Sequence, residues 1–202
     1  MKIVKLHEIA DISSGNPAPQ KKELFINGKY PFFRTSDVGA VHLSDNLKTP
    51  RDLLNDEGIK GLRLFPKGTI LFPKSGASTF LNHRVIMGID GYVVSHLATI
   101  VPDITKVDTK YLYNFLIQID AKDLLGDQSY PSLRTAEIGK IEIAIPSMEE
   151  QRKIVAKLDK SLSRITKAEK LLRQNIANVA DLQKSILAEA FKLDSDTHTH
   201  AD

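Results

Sequence analysis

A chain of 202 residues with 42% hydrophobic content has room for one ordinary globular domain plus an appendage, not for two full domains. No cysteine is present, which excludes disulfides and thiolate metal sites. No segment is apolar for 18 residues, so nothing in the sequence reads as spanning a membrane, and the start "MKIVKLHEIADISSG" lacks the features of a signal peptide; the expected location is the cytoplasm. The net charge of +3 leans basic, which suits a nucleic-acid partner without proving one.

In chain order, "MKIVKLHEIADISSG" predicts a short strand followed by a helical turn ending at Gly15, and "NPAPQKKEL" a polar loop. "YPFFRTSDV" joins a β-prone start to a polar end. "RLFPKGTILFPKSGAS" holds two apolar runs around the turn "PKG", then a small-residue loop from Ser75 to Ser78. "RVIMGIDGYVVSHLATIVP" reads as strands broken at Gly88 and Gly91. In "DTKYLYNFLIQI", Tyr111, Leu112, Phe115, Leu116 and Ile119 fall at helical spacing, with Asp108 or Thr109 placed to cap. "IGKIEIAIP" alternates Ile141, Ile143 and Ile145 against Lys140, Glu142 and Ala144, the pattern of a half-buried strand.

Beyond Pro146 the chain changes character. Ser147 can cap a helix, and Glu150 stands three residues on to complete a capping box. Leu158, Ile165, Leu172, Val179, Ile186 and Leu193 then recur every seven residues. Ser161, Ala168, Asn175, Leu182 and Glu189 form a weaker second seam. A spacing of seven held this long predicts a coiled coil. Roughly 45 residues at 1.5 Å each make a rod of about 65 Å, longer than one small domain can cover, so part of the stripe is expected to meet another helix. The expected fold class is α+β: a strand-rich domain over 1–146, a long helix over 147–193, and a disordered polar tail over 194–202.

Catalytic signatures fail on inspection. "PDITKVDTK" imitates the acidic-plus-lysine pattern of metal-dependent nucleases, but Asp108 sits where a helix begins, and capping explains it better. A base-flipping methyltransferase would need a glycine-rich loop after a strand and an Asn/Asp-Pro-Pro-aromatic tetrad; "GNPAP" lacks the second adjacent proline and the aromatic. "PKGT" and "PKSG" lack the frame of a P-loop. His7, His42, His83 and His96 are scattered without metal spacing, and His198 and His200 lie in the tail. No catalytic or metal-binding residue is assigned. What remains are loops suited to phosphates and base edges: Arg34–Asp37 after an aromatic strand, Lys67 and Lys74–Ser78 around two turns, Asn82–Arg84, and Gln128–Tyr130 with Arg134 behind. Arg and Lys neutralise phosphates, while Asn, Gln and Arg can bond base edges in pairs.

The stretches "KLHEIADISSGNP", "YPFFRTSDV", "FPKGTILFPKSGAS", "IEIAIPSMEEQRKIVAKLD" and "LQKSILAEAF" together resemble the specificity subunits of type I restriction–modification systems, from residue 1 to about 193. The segment around Pro146, Glu150, Gln151 and Ile154 is the most diagnostic. The resemblance implies a non-catalytic target recognition domain followed by a long conserved helix. It implies double-stranded DNA as ligand and modification subunits as partners, these carrying S-adenosylmethionine and methylating adenine; a restriction subunit can join. The chain itself is expected to bind no cofactor. Arg34, Thr35, Ser36, Lys74, Ser75, Ser78, Asn82, Arg84, Gln128, Ser129 and Tyr130 are assigned to the DNA face, and Leu158, Ile165, Leu172, Val179 and Ile186 to dimerisation.

One departure stands out. A typical family member has two recognition domains and two helices that pair antiparallel, whereas this chain has one of each. A homodimer through an antiparallel coiled coil would restore the architecture. Two alternatives stay open: a coiled-coil scaffold that binds protein, or the N-terminal half of a longer two-domain subunit.

Overall fold

The computed structural model describes residues 2–125 and 132–197. Its elements are β1 (Lys2–Lys5), β2 (Ala10–Ser14), β3 (Tyr30–Phe33), α1 (Thr35–Val41), β4 (Asp52–Leu54), β5 (Ile70–Pro73), β6 (Val85–Ile86), β7 (Tyr92–Val93), β8 (Leu97–Pro102), α2 (Thr109–Leu116), α3 (Thr135–Gly139), β9 (Glu142–Ile145) and α4 (Met148–Thr197). They divide into two units, Met1–Val155 and Ala156–Asp202.

Within the first unit, the antiparallel sheet β2-β8-β5-β6 is a wall between two hydrophobic cores. Side chains on a strand point alternately to opposite faces, and here the alternation sorts them. Ile70 and Phe72 of β5, Ala98 and Ile100 of β8, and Ile86 of β6 face one core, which also takes Leu112 and Leu116 of α2. Leu71, Leu97 and Val85 face the other, with Phe32, Phe33 and Val93. A strand buried on both faces carries a nearly continuous apolar run, which is why "TILF" and "LATIV" show little polar alternation. Thr99 is buried in the wall, and its hydroxyl donates to the Ser13 carbonyl at 3.1 Å. On the second core sits the sheet β4-β3-β7, with β3 antiparallel to β4 and parallel to β7.

β1 and β9 pair antiparallel, Lys2 opposite Ile145 and Val4 opposite Ile143. This ladder joins the start of the unit to the root of α4. The root is pinned further by Gln151, whose side chain is fully buried. Its Nε2 donates to the carbonyls of Pro146 at 3.0 Å and Lys106 at 3.3 Å, and its Oε1 accepts the Asp108 amide at 2.8 Å. The capping box forms as expected. Glu150 Oε2 accepts from the Ser147 amide at 3.0 Å, while Ser147 Oγ accepts the Glu150 amide at 3.3 Å. The Ser147 contacts hold the Glu150 carboxyl below its usual range. Asp108 caps α2 by accepting the amides of Lys110 and Tyr111.

Four expectations need correction. The segment to Gly15 is not one strand and a turn but two strands around a 3-10 turn at Leu6–Glu8. β2 exists because it pairs with β8 almost ninety residues later, a partner invisible to local pattern. The polar end of "YPFFRTSDV" starts helix α1, since Asp37 Oδ2 accepts the Arg34 amide at 2.8 Å and Val38 is buried. The globular unit runs to Val155, nine residues past Pro146, because Gln151 and Val155 are buried in it. Finally, α4 continues through Thr197, so residues 194–197 are helical rather than tail; 198–202 lie outside the described residues.

By itself, the second unit is uninterrupted helix over its described residues, 156–197. α4 has 50 residues, a length of about 75 Å. Every side chain from 156 to 191 is exposed, among them Leu158, Ile165, Leu172, Val179 and Ile186.

Gln151→Ala would strip partners from one amide and two carbonyls while leaving the helix sequence otherwise intact. Urea denaturation of the globular unit should show a loss of about 2–3 kcal/mol, with the far-UV helical signal before the transition unchanged.

Candidate nucleic-acid interface

β5 leaves the wall at Pro73 and runs into the loop that carries most of the assigned residues. Lys74 is held there by its backbone: its amide donates to the His96 carbonyl at 3.0 Å and its carbonyl accepts the Leu133 amide at 2.7 Å. Ser75 bridges to Ser132 and its Oγ lies 2.7 Å from His96 Nδ1. Gly76 then turns at φ +74°, ψ −172°, a conformation that excludes side chains. Ser78 Oγ closes the loop on the Ser75 carbonyl at 3.1 Å. The loop backbone is thus fixed, while the Lys74 ammonium makes no ion pair among the described residues. A fixed backbone presenting an uncommitted cation and small hydroxyls suits a phosphate backbone.

The next two assigned residues are committed to the fold. Asn82 takes the left-handed conformation at φ 52°. Its Nδ2 donates to Asp120 at 2.9 Å and its Oδ1 accepts the Ala121 amide at 2.8 Å. Arg84 is the clear correction: it is fully buried and takes no place on the surface. Its guanidinium lies 3.3 Å from the centre of the Phe72 ring and donates to the carbonyls of His83 at 2.9 Å and Ile119 at 3.3 Å. Burial pushes its pKa down to about 9, with Asp120 opposing, so it remains charged at neutral pH. Arg84 Nε has no partner among the described residues.

Arg34 is half-exposed, paired with Asp52 and placed over the rings of Phe32 and Phe25 at 5.3 and 5.8 Å. Thr35 and Ser36 open α1, Thr35 half-buried and Ser36 exposed. Gln128, Ser129 and Tyr130 lie outside the described residues. The structure therefore brings Lys74, Ser75 and Ser78 together in one loop. The nuclease-like acids are spent on local turns: Asp103 accepts from Thr105 and pairs with Lys106 at 3.0 Å, contacts with Thr105 foremost that lower its pKa to about 2. Among the described residues no group of three His, Asp or Glu side chains could hold a metal. A groove of about 850 Å³ beside β2, flanked by His7, Asp11, Asp103, Lys106 and Lys140, contains none of the assigned residues.

Two residues that the sequence reading did not assign matter to this region. His96 anchors the Lys74 loop through its carbonyl and its ring; nothing in its sequence setting signals that. Leu43 has φ 61° and is 66% exposed, a left-handed conformation that costs a bulky side chain roughly 1–2 kcal/mol. A local reading would expect glycine or asparagine there.

These environments predict opposite phenotypes for two assigned cations. Arg84→Ala should lower stability by about 3 kcal/mol, through a cavity and orphaned carbonyls, whereas Lys74→Ala should stay within about 0.5 kcal/mol of wild type. Chemical denaturation of both variants checks this.

The chain matches the family model described as the type I restriction modification DNA specificity domain over residues 1–177. The type I restriction enzyme MjaIX specificity subunit of Methanocaldococcus jannaschii is 27% identical over 169 residues, covering 77% of this chain and 36% of that protein. Among solved structures, one from work on complex assembly and conformational transition of the type I R-M system superposes with a TM-score of 0.75 at 21% identity, covering 94% of this chain and 45% of its own. The HsdS subunit from Thermoanaerobacter tengcongensis gives 0.64 at 22% identity, covering 82% and 38%. At these identities the structural likeness shows the fold, and the chain spans less than half the length of each of these relatives. The match over most of its sequence, on a mixed sheet domain that ends in a long helix, places this chain in the type I restriction modification DNA specificity family.

Proposed function

We propose that this chain is a non-catalytic DNA reader that recognises one half of a bipartite target in double-stranded DNA, and that two copies join through their α4 helices. The joined pair then directs modification subunits, which hold S-adenosylmethionine and methylate adenine; a restriction subunit can be recruited to the same assembly. No helix among the described residues is long and apolar enough to cross a membrane, and the reading places the complex in the cytoplasm.

The observation that carries this reading is the apolar stripe on α4. Leu158, Ile165, Leu172, Val179 and Ile186 repeat every seventh residue and are 39% to 61% exposed. Five such side chains in register favour a facing helix, since burying each is worth about 1.5–3 kcal/mol. An antiparallel pairing of two copies about a two-fold axis would present identical readers in inverted orientation, so the target would be an interrupted palindrome. At the DNA face the reading rests on Lys74, Ser75 and Ser78 with Ser36, contacting phosphates first and base edges where the loops reach them.

A second reading has its own support. The chain covers 36% of the curated relative and 45% of the structural one, as the first half of a two-domain subunit also would. In that case the facing helix belongs to the same polypeptide and the two half-sites differ.

Sedimentation at micromolar concentration should give a dimer that Leu172→Lys together with Val179→Lys converts to monomer. Methylome sequencing of a host expressing the chain with its modification subunit should place the methylated adenines in an interrupted palindrome. A strict monomer with an asymmetric target would favour the second reading. Lys74→Ala should weaken binding to all sequences alike and reduce the salt dependence by about one counterion.

A further inference from the structure

The backbone of Val41–Ser44 forms a turn in which the Ser44 amide donates to the Val41 carbonyl at 3.0 Å. His42 has φ −52°, ψ 129° and Leu43 has φ 61°. This is type II geometry, whose third position calls for glycine or asparagine. Leucine occupies it instead, with 66% of its surface exposed, so burial recovers little of the backbone strain. Glycine here would relax the turn and remove exposed apolar surface in one step. A strained residue that the surrounding structure over-determines marks a candidate for function.

The turn is held through His42. The His42 ring lies 4.7 Å from that of His83, and its Nδ1 is 3.0 Å from the Arg84 carbonyl oxygen and 3.2 Å from the Arg84 amide nitrogen. Tyr113 donates its hydroxyl to the same Arg84 carbonyl at 3.4 Å. The leucine is therefore held outward on a rigid support, tied to the segment that runs back to Lys74. Two cations stand nearby, each in a surface ion pair: Lys48 with Asp45 at 3.3 Å and Arg51 with Asp37 at 3.8 Å; exposed pairs of this kind are worth little and can be exchanged for another anion.

We propose that Leu43 is an apolar wedge that enters a base step of the bound duplex, partly unstacking it, while Lys48 and Arg51 exchange Asp45 and Asp37 for the flanking phosphates. Inserted leucines of this kind kink DNA and let more protein surface reach it, and the deformability of the invaded step contributes to sequence preference. The inference deepens the reader assignment and rests on it.

The test uses the full chain assembled with its modification subunit and duplexes taken from loci that the wild-type assembly methylates, with 2-aminopurine substituted at successive steps. Wild type should raise the fluorescence at one step. Leu43→Gly should raise the Tm by about 2–4 °C, weaken binding about tenfold and abolish the fluorescence rise. Leu43→Ala should lose the fluorescence rise with the Tm within about 1 °C of wild type. A Leu43→Gly variant that binds and unstacks like wild type overturns the wedge alone, as does one whose Tm falls. Loss of modification-subunit co-purification in the same variant overturns it in favour of protein docking. Wild type that binds no such duplex sinks the reader assignment, and the wedge with it.

Discussion

The globular unit depends on two neighbouring strands, β5 and β8, being buried on both faces. The sheet separates two cores, and each apolar residue along Ile70–Phe72 or Leu97–Val101 is committed to one of them. A slip of one residue in register would exchange the two sets of side chains. That constraint fixes where the strands end, and the loops at their ends inherit its rigidity. Lys74 follows directly from β5, and its backbone is bonded to the turn that leads into β8.

Positive charge in the unit is divided between structure and surface in a way residue type does not announce. Arg84 is buried over the ring of Phe72, satisfying carbonyls from two separate segments. Arg34 is paired with Asp52 and rests on aromatic rings. Lysines, with compact, strongly hydrated charges, stay outside. The exposed cations of the unit are mostly lysines, with Arg51 among them. Two arginines, the side chain best suited to bidentate pairing with guanine, are in this way committed to the fold, while Arg51 stays exposed.

Elements driven by local chemistry were legible in the sequence. The cap of α2 at Asp108, the Ser147–Glu150 box and the half-buried strand before Pro146 all depend on residues within a few positions of one another, and all three appear in the structure. β2 was missed because its partner strand is distant in the chain, and α1 because its stability comes from one capping carboxylate and one buried valine. Arg84 was misplaced for a related reason. Its neighbours Asn82 and His83 look like surface residues, and only the three-dimensional fold brings Phe72 and the Ile119 carbonyl against it. The strain at Leu43 has no local sign at all, since leucine is unremarkable in any window.

The β1–β9 ladder has a consequence for how such a chain can change. Lys5 lies opposite Glu142 and Lys2 opposite Ile145, so the two seams bounding everything from Leu6 to Ile141 are hydrogen-bonded neighbours. A stretch whose borders touch in this way can be exchanged wholesale for another of different length and content, provided the short border ladder is kept. The handle would stay the same while the cargo it presents is swapped, and a new address could be acquired in a single recombination event rather than by many point changes.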